Sequence, residues 1–254
     1  MNVFRRWKIV QQVKPMIKFS IITCTYNAAN TCERTFNSVF QQVYPFVEHL
    51  IIDGCSKDKT MSLTEQYKAK NDKSGNQHTI SITSEPDKGL YDAMNKGISK
   101  ATGDYVLFLN AGDTFPSENT LEQIANLVDK SEPLPAVLYG DTNIVDMEGH
   151  FVRKRRLSPP EQLSWRSFKH GMLVCHQAFY ARTSIAKHIL YDLNYRFSAD
   201  VDWCIRIMKE AERLHLPLIN TKMTVVNYLE GGLTDKNHRA SLQERFRLMW
   251  PKTV

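Results

Sequence analysis

The stretch YVLFLNAGDTF, Tyr105 to Phe115, reads as a buried apolar strand running into a small loop with one carboxylate, Asp113. Asn110 stands three residues before it and Gly112 beside it. Carboxylate and amide oxygens suit a hard divalent cation, and glycine lets a phosphate approach the backbone. Further upstream, TYN (Thr25, Tyr26, Asn27) offers a hydroxyl, an aromatic body and an amide, and Asp53 closes the run LIID before Gly54. In EPDKGLYDAMNKG, Asp87, Lys88 and Gly89 lie in a loop, while Asp92 and Asn95 are three apart and share one helical face. Downstream, SADVDWCIRIMKEA opens a helix with Asp200 and Asp202, either able to take a proton from a hydroxyl. A helix turns about 200° over two residues, so only one of them can face a given site.

Plainer roles stand beside each of these. Asn27 can bond its own backbone in a strand-end turn. Ser56 and Asp58, Asp87, and Asp200 all sit where helix caps occur, and capping would depress the pKa of Asp200. Arg206, four residues after Asp202, can pair with it on the surface.

The elements that would position these groups alternate. KFSIITCTYN, VEHLIIDGCSKD, TISITSEPDKG and DYVLFLNAGD read as strands, separated by the helical patterns TCERTFNSVFQQ, TMSLTEQYKAK and LYDAMNKGISKA. Such alternation predicts βαβ units and an α/β fold with a mostly parallel sheet flanked by helices. The polar clusters all follow strands, at the carboxyl ends where ligands bind in such sheets. After Pro116 the pattern loosens: LEQIANLVDK is helical, AVLYGDTNIVDMEGHFVRKRR reads as a hairpin turning near Glu148–Gly149, HQAFYAR as a strand, and MTVVNYLEGGLT as a last strand.

With 254 residues, 42% of them hydrophobic and 24% charged, the chain has ordinary globular proportions and can bury a sizeable core. Its net charge of +6 suggests an anionic partner without naming one. Five scattered cysteines read as reduced thiols of a cytoplasmic protein. No apolar run approaches the roughly 20 residues of a membrane helix. The leader 1–17 carries Val3, Phe4, Trp7, Val10 and Val13 at helical spacing beside basic residues, and the tail 241–254 is again basic and amphipathic. Both are candidates for peripheral contact with the inner face of the cytoplasmic membrane. The basic run VRKRR is a further candidate for anionic lipid, with a solvated loop as the plainer reading. No nucleic-acid motif accompanies these charges, so no nucleic acid is expected as a partner.

The fragments SIITCTYN, LIIDGCSKDKT, EPDKGLYDAMNKGISKATGDYVLFLNAGD and ADVDWCIR, in this order, resemble the family 2 inverting glycosyltransferases of GT-A fold, in particular bacterial enzymes that build surface polysaccharides. The resemblance is densest over 18–115 and thinner to about 235. It implies a single domain over 18–254, with a nucleotide-sugar-binding half (18–115) and a smaller acceptor-side region (116–240). It also implies a nucleotide-diphosphate sugar donor, a UDP-sugar before others, a glycan or lipid-linked acceptor, and Mn²⁺ or Mg²⁺.

Carried over residue by residue, the resemblance places Thr25, Tyr26, Asn27, Asp53, Asp87, Lys88, Gly89, Asp92, Asn95, Asn110 and Ala111 around the donor. Asp113 becomes the metal contact and Asp200 the general base, with Asp202 as the alternative. His176, Gln177, Gly231, Gly232 and Thr234 become acceptor or diphosphate contacts, followed by Lys236, His238 and Arg239. Two positions depart from the pattern, Gly54 where a second aspartate is common and Ala199 in place of a glutamate. Asn110 stands where the family shows aspartate or asparagine, which lightens the charge of the site. Two readings compete with transfer. One is a non-catalytic binding relative; the other is a nucleotidyltransferase or an oxidoreductase on a similar fold, though no G-x-G-x-x-G follows a strand.

Overall fold

A computed structural model describes residues 16–128, 132–231 and 238–249, without the side chains of 232–240, 247 and 249. The leader up to residue 15, Gly232, Thr234, Lys236 and the end of the tail lie outside the described residues. The front half is β1 (Phe19–Thr25), α1 (Cys32–Phe40), β2 (Val47–Asp53), α2 (Thr60–Ser74), β3 (Thr79–Ser84), α3 (Leu90–Lys100) and β4 (Tyr105–Phe108). Then follow α4 (Thr120–Val128), β5 (Val137–Val145), β6 (Phe151–Lys154), β7 (Phe179–Arg182), α5 (Thr183–Ala186), α6 (Ala199–Arg213), β8 (Leu218–Leu229) and α7 (His238–Met249).

One eight-stranded sheet, ordered β3-β2-β1-β4-β7-β5-β6 with β8 on β5, runs through both halves. Strands β1 to β4 are parallel, as the alternation predicts. The back half is mixed: β7 is antiparallel to β4 and β5, β6 forms the expected hairpin with β5, and β8 is parallel to β5. All seven residues of β1 and of β2 are buried, the pattern of strands covered on both faces. That burial includes Glu48 and His49, which is tolerable only because each is bonded. Glu48 accepts from Ser20, Thr102 and Gly103, and His49 meets Thr23 at 2.8 Å and Tyr67 at 3.0 Å.

Register brings the strand ends together. Thr25 pairs with Asp53, and Asp53 with Ser84, so three carboxyl ends finish side by side. Beyond β4, the Leu109 N–H still donates to the Ile22 carbonyl (3.0 Å), which carries Asn110 to the same edge. Helix α3 lies close on β1 at Gly97, where an added Cβ would stand 2.5 Å from Cγ2 of Ile22. In an open helix Gly→Ala gains about 1 kcal/mol. Here the overlap with a β-branched side chain opposes that gain, and overpacking of a core contact costs about 1–3 kcal/mol. Gly97→Ala is therefore expected to lower stability in urea unfolding by about 1 kcal/mol net; a gain would contradict the close packing of α3 on the sheet.

Candidate active site

The four loops meet at the strand ends, and most of their polar groups are spent on one another. Asp53 is fully buried and takes two bonds on each oxygen: Thr25 Oγ1 (2.9 Å) and Ser56 Oγ on Oδ1, Ser56 N–H (2.9 Å) and Ser84 Oγ (2.8 Å) on Oδ2. Burial raises its pKa, but these four donors prevail and hold it below the usual carboxylate range. Asp53 is thus the brace of three loops, and the expected nucleobase contact would require one of these donors to give way. Ser56 serves this brace and accepts from Asn27 N–H (2.9 Å) rather than capping α2. Asp58 bonds the first turn through Thr60 N–H (2.9 Å). Asn27 adopts a left-handed backbone (φ 48°) and accepts from Lys57 N–H (2.8 Å), so its amide joins two loops instead of closing its own turn. Of the TYN trio, Thr25 is buried while Tyr26 and Asn27 are exposed, and Tyr26 turns its ring outward, 66% accessible.

In the EPDKG loop, Asp87 closes on Gly89 N–H (2.8 Å), and Gly89 itself precedes α3 with φ 111°. Asp92 accepts from Lys88 N–H (3.0 Å), and Lys96 lies 3.8 Å from it. Lys88 is exposed. Asn95 departs from its expected donor role. Its Nδ2 donates to the Tyr191 carbonyl (3.0 Å) and its Oδ1 accepts from Tyr191 N–H (2.7 Å), so both ends are taken by the Tyr191 backbone, 96 residues away.

The glycines of these loops have packing reasons. A Cβ on Gly54 would stand 2.5 Å from Oδ2 of Asp87, so Asp87 already occupies the space of a second aspartate. Gly112 has φ 111°, and a Cβ there would meet Cδ2 of Leu229 at 2.6 Å. Ala199 is fully buried at the start of α6.

Asp113 is buried, and Oδ1 accepts from Leu229 N–H of β8 (2.9 Å). Its Oδ2 and the Oδ1 of Asn110 are buried acceptors without a hydrogen-bond partner. Burial pushes the Asp113 carboxyl up to about 7, against the opposing pull of Leu229 N–H, Gln177 and Arg34. Ala111 is half-buried between the two. Among the described residues no group of three or more His, Cys, Asp or Glu could hold a metal. The donor set here is one carboxylate and one amide oxygen, both hard, and a cation also held by phosphate oxygens and waters fits it.

Asp200 lies in the first turn of α6, half-buried, with Oδ1 accepting from Val201 N–H (2.9 Å) and facing the Tyr91 hydroxyl at 3.3 Å. Ser198, not Asp200, holds the cap position. The pKa of Asp200 is raised, contrary to the capping expectation, because desolvation outweighs Arg245 and its hydrogen bonds. Asp202 is occupied by Arg206, at 2.7 Å to Nε and 2.6 Å to the guanidinium NH2, the i,i+4 pair its spacing suggests. His176 and Gln177 are buried rather than open to an acceptor. His176 stacks on Phe108 (4.8 Å) and bonds the Tyr191 hydroxyl, and burial lowers its pKa to about 3, so it is neutral packing. Gln177 lies toward Asp113. Gly231 is an exposed turn with φ 90°. Sequence reasoning missed Tyr91, Tyr191 and Arg245; Tyr91 lies inside the motif EPDKGLYDAMNKG, between the polar residues singled out there.

Solved glycosyltransferases share this α/β sheet with polar loops at its carboxyl ends. The Staphylococcus aureus TarS 1–349 structure in complex with UDP-GlcNAc matches with TM-score 0.68 over 94% of this chain and 68% of that one, at 18% identity. The glucosyl-3-phosphoglycerate synthase of Mycobacterium tuberculosis, solved with Mn²⁺, UDP and glucosyl-3-phosphoglycerate, matches with TM-score 0.63 over 92% and 79%, at 14% identity. The family model "Glycosyl transferase family 2" matches residues 20–189. A PGL/p-HBAD biosynthesis glycosyltransferase of Mycobacterium bovis is 30% identical over 93% of this chain and 92% of its own length. The chain belongs to glycosyl transferase family 2, and it is a glycosyltransferase.

The raised pKa of Asp113 carries a sign. Its folded-state value of about 7 lies above the ordinary 3.8, so the folded protein prefers the protonated form. That stability is fully present below about pH 4 and is lost as pH rises through about 7. In chelator, the melting temperature of the wild type minus that of Asp113→Asn should fall between pH 5 and 8. A difference independent of pH would contradict the burial of Asp113.

Proposed function

We propose that this glycosyltransferase moves a sugar from a nucleotide-diphosphate sugar, a UDP-sugar by preference, to a hydroxyl of a glycan or lipid-linked acceptor, with inversion, in polysaccharide biosynthesis. The observation that carries this reading is the pair of buried acceptors, Asp113 Oδ2 and Asn110 Oδ1, left bare at the carboxyl end of β4. Buried polar oxygens without donors are uncommon and each calls for an explanation, here a bound ion or its waters. Asp113 and Asn110 would hold a divalent cation, Mn²⁺ or Mg²⁺; bound there, it supplies charge neutralisation for the departing nucleotide diphosphate. The Mn²⁺ and UDP of the mycobacterial synthase support that assignment.

Tyr26 offers its ring to the base by stacking, and the loop around Lys88 and Gly89 lies beside it for ribose and diphosphate. Asp200 takes the proton of the acceptor hydroxyl as its oxygen attacks the anomeric carbon from the face opposite the diphosphate. The new glycosidic bond forms as the bond to phosphate breaks, which inverts the anomeric centre. Desolvation lifts the basicity of Asp200 toward the working pH, which favours this role. Asp202 is spent on Arg206 and is the weaker choice. Exposed Leu242 and Phe246 on α7, among basic residues, support peripheral contact with the cytoplasmic face of the membrane. Among the described residues no helix is long and apolar enough to cross one.

The test is turnover against a panel of nucleotide-sugars with Mn²⁺ or Mg²⁺ and lipid-linked acceptors. One donor should turn over, and both Asp113→Ala and Asp200→Asn should lose at least about 100-fold in kcat. Donor binding without turnover in the wild type would replace transfer by the binding-protein reading.

A further inference from the structure

The motif EPDKGLYDAMNKG faces the donor with its loop, but the helix that follows also reaches into the acceptor-side half. Tyr91, on the first turn of α3, directs its hydroxyl at Oδ1 of Asp200, 3.3 Å away across 109 residues of sequence. One stack holds the ring, and two further contacts hold its partner. Tyr91 stacks on Tyr191 at 5.4 Å and 22°. Tyr191 stacks in turn on Trp203 of α6 at 5.0 Å and 16°, one turn from Asp200. Asn95, one turn further along α3, grips the Tyr191 backbone through both ends of its amide. Helix α3 and the start of α6 are therefore joined through one aromatic pile.

We propose that Tyr91 is a positioning residue for the general base: its hydroxyl donates to Oδ1 of Asp200 and aims the carboxylate at the acceptor hydroxyl. The proposal rests on the reading of Asp200 as the base of glycosyl transfer. Burial pushes the Tyr91 phenol far up, so it remains a neutral donor at any working pH. A donor of this kind favours the ionised carboxylate. The groups that face Asp200 are Tyr91 from α3, Tyr191 from the preceding loop, Cys204 on α6 itself and Arg245 from α7, while Glu244 of α7 acts on Tyr91. Among the hydrogen bonds to the Asp200 carboxylate, the Tyr91 bond is the one that comes from the donor-side half. At 3.3 Å it is longer than the ~2.7–2.8 Å common for hydroxyl donors, and catalytic contacts often tighten when substrate binds.

The experiment compares Tyr91→Phe with Tyr191→Phe in two readouts. Both variants keep a ring in the stack, and only the first removes the hydroxyl that reaches Asp200. In Tyr91→Phe the acid limb of the kcat/KM profile should move up by about one pH unit, with kcat lowered and donor KM unchanged. In Tyr191→Phe the limb should stay. The second readout is the carboxyl ¹³C titration of Asp200, assigned with Asp200→Asn, and it should show the same upward shift without any need for activity. An unmoved titration in Tyr91→Phe, or an equal shift in Tyr191→Phe, overturns the proposal. A shifted titration in a protein whose wild type transfers no sugar separates failure of the transfer reading from failure of the Tyr91 contact.

Discussion

Everything at the carboxyl edge of the sheet depends on a carboxylate that is buried and only half satisfied. Asp113 leaves β4, turns back through its N–H to the Asn110 carbonyl (2.9 Å), and is met by the N–H of Leu229 from the far end of the chain. Beside it, Thr114 and Asn227 exchange two backbone bonds of 3.0 and 2.8 Å. These contacts hold β8 against the carboxyl edge of the sheet and make Asp113 the seam between the front and back of the chain. A buried charge without full compensation is costly, which is why its carboxyl sits near neutrality. The same cost creates affinity for whatever positive or donating group can enter.

The contrast with Asp53 is instructive. Asp53 ends β2 and Asp113 lies in the loop after β4, and both are buried. The four donors to Asp53 outweigh its burial; at Asp113 burial outweighs the pull of Leu229 N–H, Gln177 and Arg34. The balance of donors against desolvation separates the two carboxylates. The glycines follow from the same crowding. Gly54 yields its place to Asp87, and Gly112 lies under Leu229, so neither position can carry a further carboxylate without moving a neighbour.

Much of this was legible in the sequence, for physical reasons. The front half announces itself because apolar runs and amphipathic helices alternate with polar clusters, and strand ends in such sheets gather ligands. Asp113 and Asp200 were readable as carboxylates at the ends of elements, and the Asp202–Arg206 pair followed from helical spacing. What could not be read was partnership across the chain. Nothing in local spacing says that Asn95 would turn to Tyr191, 96 residues away, or that His176 would vanish into a stack with Phe108. The same holds for Asp200: a cap position predicts a lowered pKa, and only tertiary burial reverses the sign.

The central claim is that the bare oxygens of Asp113 and Asn110 bind a divalent ion together with a nucleotide diphosphate. Calorimetric titration of UDP, with and without Mn²⁺, tests it most directly in the wild type and in Asp113→Asn. Mn²⁺ should tighten UDP binding to the wild type and leave the variant's affinity unchanged. Equal tightening in both proteins would contradict the account.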